Sequence, residues 1–439
     1  MRRHFEGNTF QGRDLIAIAI AGPPGTSRRP YYGWWIVLST ATIVFYGSGL
    51  YYYAMSAYFT PIVNEFGWSR AAVSFAFSLN SLVGAVVAPI IGISFDRLGP
   101  RKLIGFGIGV FGVGYLVMSR VGDYTTLCLA VALLAIGFNA GFPMTAMATV
   151  ANWFIRKRAI ALALLMTGGG LGGVASPALV WAIGSFGWRE TAMAVGLGAW
   201  VLLTPLILVI RHRPEQSGLR PDGDPSGSAP SLGVGVATHA ATRPEVDIPL
   251  SRAIRSATFW IFILTFSLTA ASQSAVTIHL IPYFVSVGAS DSLGGVIIAS
   301  LTSVSLIGRI AVGYLGDRID KLMLLAVLVT MQTAGTLVFA SISEPWTIAL
   351  FLALFAPAYG GSIIMRPAIL AETFGRRSIG AIQGVTLGVG SLTSVAAPVF
   401  AGWMYDVSQS YRFAFIVLAA ITAFALPSVF FLSRARRSL

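Results

Sequence analysis

One arginine lies inside an apolar stretch, where a charge is costly. Arg309 follows Thr302 and Ser305 at helical spacing, so the three side chains share one helix face. An arginine at membrane depth costs from about 2.5 kcal/mol upward, and none of the 17 carboxylates lies in the middle of an apolar stretch. The predicted partner is therefore a substrate anion, held by the planar guanidinium. The alternative is an arginine whose head reaches the membrane interface.

A histidine also lies within an apolar stretch. His279 shares a helix face with Ser272 and Tyr283. Because a histidine titrates near about pH 6.5, this residue has the chemistry to relay a proton or to bind an oxyanion. A hydrogen bond between neighbouring helices explains it equally well.

A second arginine, Arg366, ends a stripe with Tyr359 and Ser362. The favoured interpretation is an anchor at a helix end near Glu372, and a second anion contact is the alternative. Other polar side chains within apolar stretches line a cavity or bridge helices. The candidate substrate-binding residues are Arg309, His279, Tyr53, Asn139, Gln273, Tyr359, Ser305 and Gln383.

Other kinds of chemistry lack their residues in this sequence. We find no cluster with metal-ligand spacing, no nucleophile–base set and no phosphate loop ending in Gly-Lys-Ser/Thr. Gly107, Gly109 and Gly112 fit a dinucleotide fingerprint, but no strand precedes them, so close helix packing is the better explanation. We predict no metal, no cofactor and no enzymatic activity, and any transport would run on gradients.

The composition supplies the elements that must hold these side chains. The chain has 439 residues, 55% hydrophobic and only 11% charged, whereas soluble domains carry about 25% charged residues. Its mean hydropathy is +0.76, and many apolar runs reach the ~18 residues with which a helix spans a bilayer core. We predict an all-α membrane protein with twelve spans, at residues 33–55, 70–94, 103–120, 124–149, 159–183, 190–210, 257–281, 292–315, 322–341, 346–368, 378–402 and 412–432.

Charge placement predicts the orientation of these spans. Of the 30 lysines and arginines, 24 fall in the tails and in the loops on the same side of the membrane as the termini. This distribution explains the net charge of +13 without a nucleic-acid-binding surface. Such an excess marks the cytoplasmic side. We predict a multi-pass protein of the cell (inner) membrane, with both termini cytoplasmic. Its parts are a tail at 1–32, a six-helix bundle at 33–210, a Pro/Gly/Ser-rich linker at 211–256, a second bundle at 257–432 and a tail at 433–439.

The two halves repeat each other at an offset near 221 residues. Gly92, Asp96 and Arg97 return as Gly313, Asp317 and Arg318. Parallel six-helix repeats are an architecture of secondary transporters. The loop residues of this repeat are predicted to gate the conformational change by holding the halves together on the cytoplasmic side: Gly92, Asp96, Arg97, Gly99, Arg101, Gly313, Asp317 and Arg318.

Two motifs resemble known families. Gly92-Ile-Ser-Phe-Asp96-Arg97-Leu-Gly99-Pro-Arg101-Lys102 resembles the loop signature of the major facilitator superfamily. Trp153-Phe154-Ile-Arg156-Lys157-Arg158-Ala-Ile160-Ala161, with Gly168 and Gly172 after it and Gly33-Trp34-Trp35 before it, resembles the monocarboxylate transporters. The sequence departs from the second motif at Ala163, Leu165 and Thr167. The resemblance is to a bacterial member or near relative, akin to the oxalate–formate exchangers. The excess of arginine over lysine, 27 against 3, indicates a GC-rich genome, which favours a bacterial source.

The resemblance implies roles for some residues and puts others in doubt. It places Arg309 where monocarboxylate carriers have a substrate-binding arginine. Ser305 stands where proton-coupled members have an acid, and Tyr53 where they have a lysine. The eleventh-span lysine of the oxalate exchangers has no counterpart in 378–402. The usual proton site and second cation of these families are therefore both in question.

The predicted function is secondary transport of a small organic anion, with a monocarboxylate favoured, by alternating access in the lipid bilayer. Proton symport and exchange for a counter-anion both stay open. One alternative is a facilitator or exporter of a neutral or amphipathic solute, with a structural role for Arg309. Another is a membrane sensor that does not transport and signals through 211–256.

Overall fold

Twelve helices in the computed structural model are long and apolar enough to cross a membrane. The structure describes residues 31–155, 157–223, 250–316, 318–374 and 379–435, and all the regular elements of these ranges are helices. The twelve are α1 Tyr32–Phe66, α2 Arg70–Phe95, α3 Pro100–Ser119, α4 Tyr124–Trp153, α5 Ile160–Phe186, α6 Trp188–Val209, α7 Ala257–Ser286, α8 Asp291–Gly316, α9 Lys321–Phe339, α10 Pro345–Phe374, α11 Ile382–Ser408 and α12 Arg412–Leu432. The prediction of an all-α membrane protein with twelve spans in two six-helix halves is confirmed.

The first helix differs most from its prediction. α1 continues past residue 55 to Phe66, where Gly67 ends it with a positive φ of 64°. The polar end of this helix extends beyond the apolar segment from which the span was predicted. Within α1, Ser48–Tyr52 form a π-turn, in which the Tyr53 N–H donates to the Ser48 carbonyl at 3.0 Å.

The start of the predicted linker packs against the bundle. We call the membrane side where α1 begins and α12 ends the termini side, and the other the distal side. On the termini side, the Asp222 carboxylate accepts from Ile155 N–H at 2.9 Å and from Lys157 N–H at 3.1 Å. Residues 211–223 are thus ordered against the end of α4. The rest of the linker up to residue 249, residues 1–30 of the first predicted tail and residues 436–439 of the second lie outside the described residues.

The helix pairs that join the halves follow the internal repeat. α2 packs on α11, α5 packs on α8, and α1 packs on α7. In the internal repeat α8 corresponds to α2, and α5 corresponds to α11. The pseudo-twofold axis that relates the halves therefore maps the α2–α11 pair onto the α8–α5 pair. The halves therefore meet through equivalent surfaces.

The α2–α11 pair is closed at one end and open at the other. On the distal side, a Cβ added to Gly402 would lie 2.7 Å from the backbone of Arg70. Toward the termini side, helical periodicity puts Gly92 on the face of α2 that carries Arg70, and Gly388 on the face of α11 that carries Gly402. The nearest atom to a Cβ on Gly92 is 4.0 Å away in α4, and a Cβ on Gly388 would meet nothing within 4 Å. The two helices therefore splay apart.

The apolar core shows the same asymmetry. One large buried cluster holds distal residues of both halves, such as Phe59 of α1 and Ile281 of α7. On the termini side, one cluster belongs to the C-terminal half, around Phe259, and another to the N-terminal half, around Trp153. The halves share a core distally and have separate cores near the termini.

Candidate functional site

A cationic side chain lies between the two halves, where α1, α5, α8 and α10 meet. The Arg309 guanidinium of α8 is beside the hydroxyls of Tyr53 in α1 and Tyr359 in α10. A Cβ added to Gly170 of α5 would lie 3.2 Å from its Nη1. Both tyrosines are 5% exposed. Arg309 is thus surrounded by groups from both halves, as expected of a central site.

The irregular turn in α1 positions Tyr53. A π-turn adds one residue to a helical turn, which rotates the side chains after it by about 100°. The turn at Ser48–Tyr52 faces a glycine-rich 3-10 turn in α5, where a Cβ on Gly172 would lie 2.6 Å from the Gly49 nitrogen. Tyr52 meets Tyr53 edge-on, with 5.2 Å between ring centroids. It is 37% exposed and interacts with Tyr359 and Arg366 of α10, so its side chain lies on the inner side of α1, between the halves.

Backbone contact between α8 and α10 places Arg309 next to Tyr359. A Cβ on Gly308 would lie 2.5 Å from the Pro357 Cα, which leaves no room for a larger residue. Ser305, predicted to bind substrate, is fully buried and donates to the Thr302 carbonyl of its own helix at 2.8 Å. Its hydroxyl is therefore used within α8, and its role in binding stays a prediction.

A second arginine lies on the same face of α10 as Tyr359. Arg366 comes two helical turns later, about 10 Å nearer the termini side. Its guanidinium carbon is 5.3 Å from the ring centroid of Phe266 in α7. Tyr52 of α1 is close enough to interact with it electrostatically. Both arginines therefore border the space that Tyr52 faces.

No acid among the described residues neutralises these two arginines. Their Nε atoms are buried without a hydrogen-bond partner. The ion pairs within the described ranges join other residues, Arg189 to Glu65 and Lys321 to Glu372. Each unneutralised arginine costs about 2.5 kcal/mol or more at membrane depth, and tyrosine hydroxyls orient such a group without cancelling its charge. The site is therefore suited to an anion.

His279 lies away from this site, in a fully buried network on the distal side. Its Nε2 is 2.9 Å from the Pro398 carbonyl and 3.1 Å from Ser74 Oγ, and its Nδ1 is 3.1 Å from the Tyr411 hydroxyl. Because a carbonyl only accepts, Nε2 carries the proton, and Nδ1 of the neutral ring accepts from Tyr411. Burial raises the pKa of Tyr411, which keeps its phenol able to donate. His279 thus connects the halves.

A carboxylate completes this network. Asp406, at the end of α11, accepts from the N–H groups of Arg70 at 2.9 Å and of Ala71 at 3.0 Å, at the first turn of α2. The Arg70 guanidinium donates to the Tyr411 hydroxyl at 2.7 Å, and its carbon lies 3.7 Å from the Tyr405 ring centroid. We call Arg70, Ser74, His279, Asp406 and Tyr411 the distal latch.

Of three other predicted cavity residues, two form hydrogen bonds within one half. Asn139 donates to the Ala135 carbonyl one turn earlier in α4 at 2.8 Å. Gln273 of α7 donates to Gln332 of α9 at 2.9 Å. Gln383 is half-buried near the start of α11. The structure does not place these three with Arg309, and their role in binding stays a prediction.

The predicted gating loops lie on the termini side, where the halves are apart. The helix of α2 continues beyond the span to Leu98, where Gly99 ends it with a φ of 75°, and the Gly99 N–H donates to the Phe95 carbonyl at 3.0 Å. Arg97 and Arg101 are exposed. The side chain of Asp96 lies outside the described residues.

In the second half the equivalent loop is described only in part, because Asp317 lies outside the described residues. A Cβ on Gly313 would meet nothing within 4 Å, and the Arg318 guanidinium carbon is 3.9 Å from the Tyr314 ring centroid. In neither loop does a described group reach across to the other half, so gating by these residues stays a prediction.

The prediction from sequence missed two groups of residues. Tyr52 was passed over although the run of three tyrosines at 51–53 was a visible signal in the middle of a span. Arg70 and Asp406 lie at the distal ends of α2 and α11, and no local pattern relates residues so far apart along the chain. Only the paired helix ends bring them together.

Twelve helices in two pseudo-symmetric halves, with a charged central site, define a polytopic membrane transporter. The chain belongs to the Major Facilitator Superfamily, whose family model matches residues 37–386. Its fold is similar to that of a bacterial homologue of the human lysosomal transporter Spinster, solved in an inward-facing and unoccupied conformation. That match has a TM-score of 0.72 and 17% identity, and covers 94% of this chain and 99% of that one.

Relatives at the sequence level are distant. MFS transporter asaE of Aspergillus flavus is 26% identical over 82% of this chain and 78% of that protein. Monocarboxylate transporter 13 of Bos taurus is 24% identical over 89% of this chain and 86% of that protein. These relatives are fungal and mammalian, so a bacterial source stays a prediction, and the membership of a transporter family indicates a carrier rather than an enzyme.

Proposed function

We propose that the protein is a secondary transporter of a small organic anion whose carboxylate binds the Arg309 guanidinium. The observation that carries this proposal is the central arginine with no described acid beside it, flanked by Tyr53 and Tyr359. A bound carboxylate would remove the cost of the unneutralised charge. The name of the bovine relative makes monocarboxylates the first compounds to test.

The transport cycle follows from the arrangement of the halves. With the distal side latched and α2 and α11 splayed on the termini side, substrate would reach Arg309 from the termini side. Rocking of the halves would then open the distal side and close the other. With the termini in the cytoplasm, the described state faces inward. Exchange of anions and proton symport are both compatible with this cycle.

The test is ligand-induced thermal stabilisation of the purified protein by a panel of small carboxylates, each paired with its neutral amide. A ligand at 100 times its Kd adds about 2.7 kcal/mol to the apparent stability. We expect one or more acids, and not their amides, to raise the Tm. Arg309→Gln should lose this stabilisation. Arg189→Gln, at the exposed pair with Glu65 on the distal side, is the matched control and should keep it.

Two results would contradict the proposal. Equal stabilisation by an acid and its amide would show that charge is not recognised. Stabilisation by neutral or amphipathic compounds alone would favour a carrier for such solutes, with a structural role for Arg309.

A further inference from the structure

The role of Arg366 is the least explained feature near the central site. An anchor at the helix end near Glu372 is one reading of its sequence position. In the structure Glu372 forms an ion pair with Lys321 of α9 at 3.1 Å. The guanidinium of Arg366 instead lies by the Phe266 ring and Tyr52, and its Nε is buried without a hydrogen-bond partner.

Arg366 and Arg309 border the same space. Tyr359 is beside Arg309, and it also interacts with Tyr52. Tyr52 in turn interacts with Arg366. A chain of neighbouring groups therefore runs from one guanidinium to the other, with Tyr359 and Tyr52 between the two cations.

The charge of the site limits the ligand that neutralises it. One carboxylate at Arg309 cancels one of two positive charges and leaves the second in a low-dielectric space. A ligand with two carboxylates cancels both, and each guanidinium can bind its carboxylate through paired N–H donors. Phenol hydroxyls between the two cations can donate to polar atoms in the middle of such a ligand.

We propose that Arg366 is a second anion-binding residue, and that the preferred substrate is a small dicarboxylate bound at Arg309 and Arg366 together. This inference rests on the proposed function, because it takes the ligand at Arg309 to be a carboxylate. It narrows the substrate class from small organic anions in general to small dicarboxylates.

The experiment measures the Kd of the purified full-length protein by titration calorimetry. The probes are α,ω-dicarboxylates of increasing chain length, each with its monoamide, which keeps the length and removes one charge. For the best length we expect the diacid to bind at least about tenfold more tightly than the monoamide, equivalent to about 1.4 kcal/mol. In Arg366→Gln the ratio of the monoamide Kd to the diacid Kd should fall to about one. Arg366→Lys keeps the positive charge but loses the paired N–H donors of the guanidinium, so it should retain part of the preference for the diacid.

The outcomes separate the two proposals. A preference that survives in Arg366→Gln would overturn the role of Arg366 and leave the carboxylate at Arg309 intact. Loss of all acid binding in Arg309→Gln, with the monoamide still bound by Arg366→Gln, would support both proposals. Failure of every acid to bind the wild-type protein would overturn both. Monodisperse elution and an unchanged Tm without ligand show that each variant is folded.

Discussion

At the scale of single residues, the site combines fixed cations with neutral donors. Arg309 and Arg366 supply charge, and Tyr52, Tyr53 and Tyr359 surround the space between them. Hydrogen bonds to charged groups contribute more than bonds between neutral groups. The tyrosine hydroxyls next to Arg309 therefore orient the guanidinium before substrate arrives, and their removal should weaken binding without changing the charge.

Tyr53→Phe and Tyr359→Phe test this orientation. Each change removes a hydroxyl beside Arg309 and keeps the ring. We expect the Kd of the stabilising carboxylate to rise at least about fivefold, from a loss of about 1 kcal/mol, measured by titration calorimetry. Tyr32→Phe, whose hydroxyl donates to the Val209 carbonyl at 2.8 Å, is the control away from the site. Wild-type affinity in both site variants would show that these hydroxyls do not orient Arg309.

Arg309 stands out as a candidate in the sequence because a charge in an apolar stretch is conspicuous, and the structure places it between the two halves. His279 was equally conspicuous, and sequence left open whether it bound substrate or bridged helices; the structure shows it in the second arrangement. The cause is tertiary. Whether a buried histidine faces a cavity or a neighbouring helix depends on how α2 and α11 pack around it, and no periodicity within α7 encodes that.

At the scale of elements, the N-terminus of α2 is capped by a residue of α11, which belongs to the other half. α2 starts with backbone N–H groups that have no partner within the helix, and Asp406 at the end of α11 accepts from two of them. A carboxylate at this position also interacts favourably with the helix dipole. Because the donor and acceptor belong to different halves, this cap stabilises only the state that is closed distally.

Asp406→Ala should shift the conformational equilibrium toward the distally open state. Loss of a cap costs about 0.5–2 kcal/mol, equivalent to an increase of about 2- to 30-fold in the open-to-closed ratio. The measurement is the distance distribution between spin labels on Asn64, exposed near the distal end of α1, and Ser343, exposed in the distal loop before α10, in a Cys128→Ser background. A longer distance should gain population.

The control for this change is Asp123→Ala. Asp123 caps α4 within one half, accepting from Thr126 N–H at 2.9 Å, and the bonds from Thr126 lower the pKa of its carboxyl. The cap is therefore ionised at neutral pH in both conformations, and its loss should leave the distances alone. An equal shift in both variants would mean that general destabilisation, and not the latch, moved the equilibrium.

The positions of eleven helices followed from hydropathy, since about 18 apolar residues suffice to define a span. Hydropathy could not show the π-turn at Ser48–Tyr52, which packs closely against Gly172 of another helix. That turn decides where Tyr52 and Tyr53 point. The span was predictable, and the rotation of its side chains was not.

At the scale of the whole molecule, the two halves are joined distally and separate near the termini. On the distal side the halves are joined by the hydrogen bonds of the distal latch and by Ile281 N–H, which donates to Ser56 Oγ at 2.9 Å. In the centre they are joined by the contacts of Tyr53 with Arg309 and Tyr359. α2 and α11 touch at Gly402 and diverge toward Gly388. Water-soluble reagents should therefore enter from the termini side.

Gly388→Cys and Ala401→Cys, each with Cys128→Ser, test this geometry on α11. Gly388 has open space where a side chain would be, whereas Ala401 is fully buried. In vesicles we expect a membrane-impermeant maleimide to label Gly388→Cys from the termini side alone, and to leave Ala401→Cys unlabelled. Comparison of labelling in sealed right-side-out and inside-out vesicles then shows which side of the membrane this is, and we expect the cytoplasmic side. Equal labelling of both positions would contradict the splayed arrangement.

The two arginines have a consequence for the electrical behaviour of the carrier. Substrate that cancels their charge lets the loaded protein change conformation without moving net charge through the membrane field. The empty protein must return with its guanidinium groups bare, and each charge that crosses the full field changes its energy by about 2.3 kcal/mol per 100 mV. For the proposed dicarboxylate substrate, the membrane potential would therefore act on the empty return step and not on the loaded step. Exchange of one anion for another avoids that step, and net uptake does not.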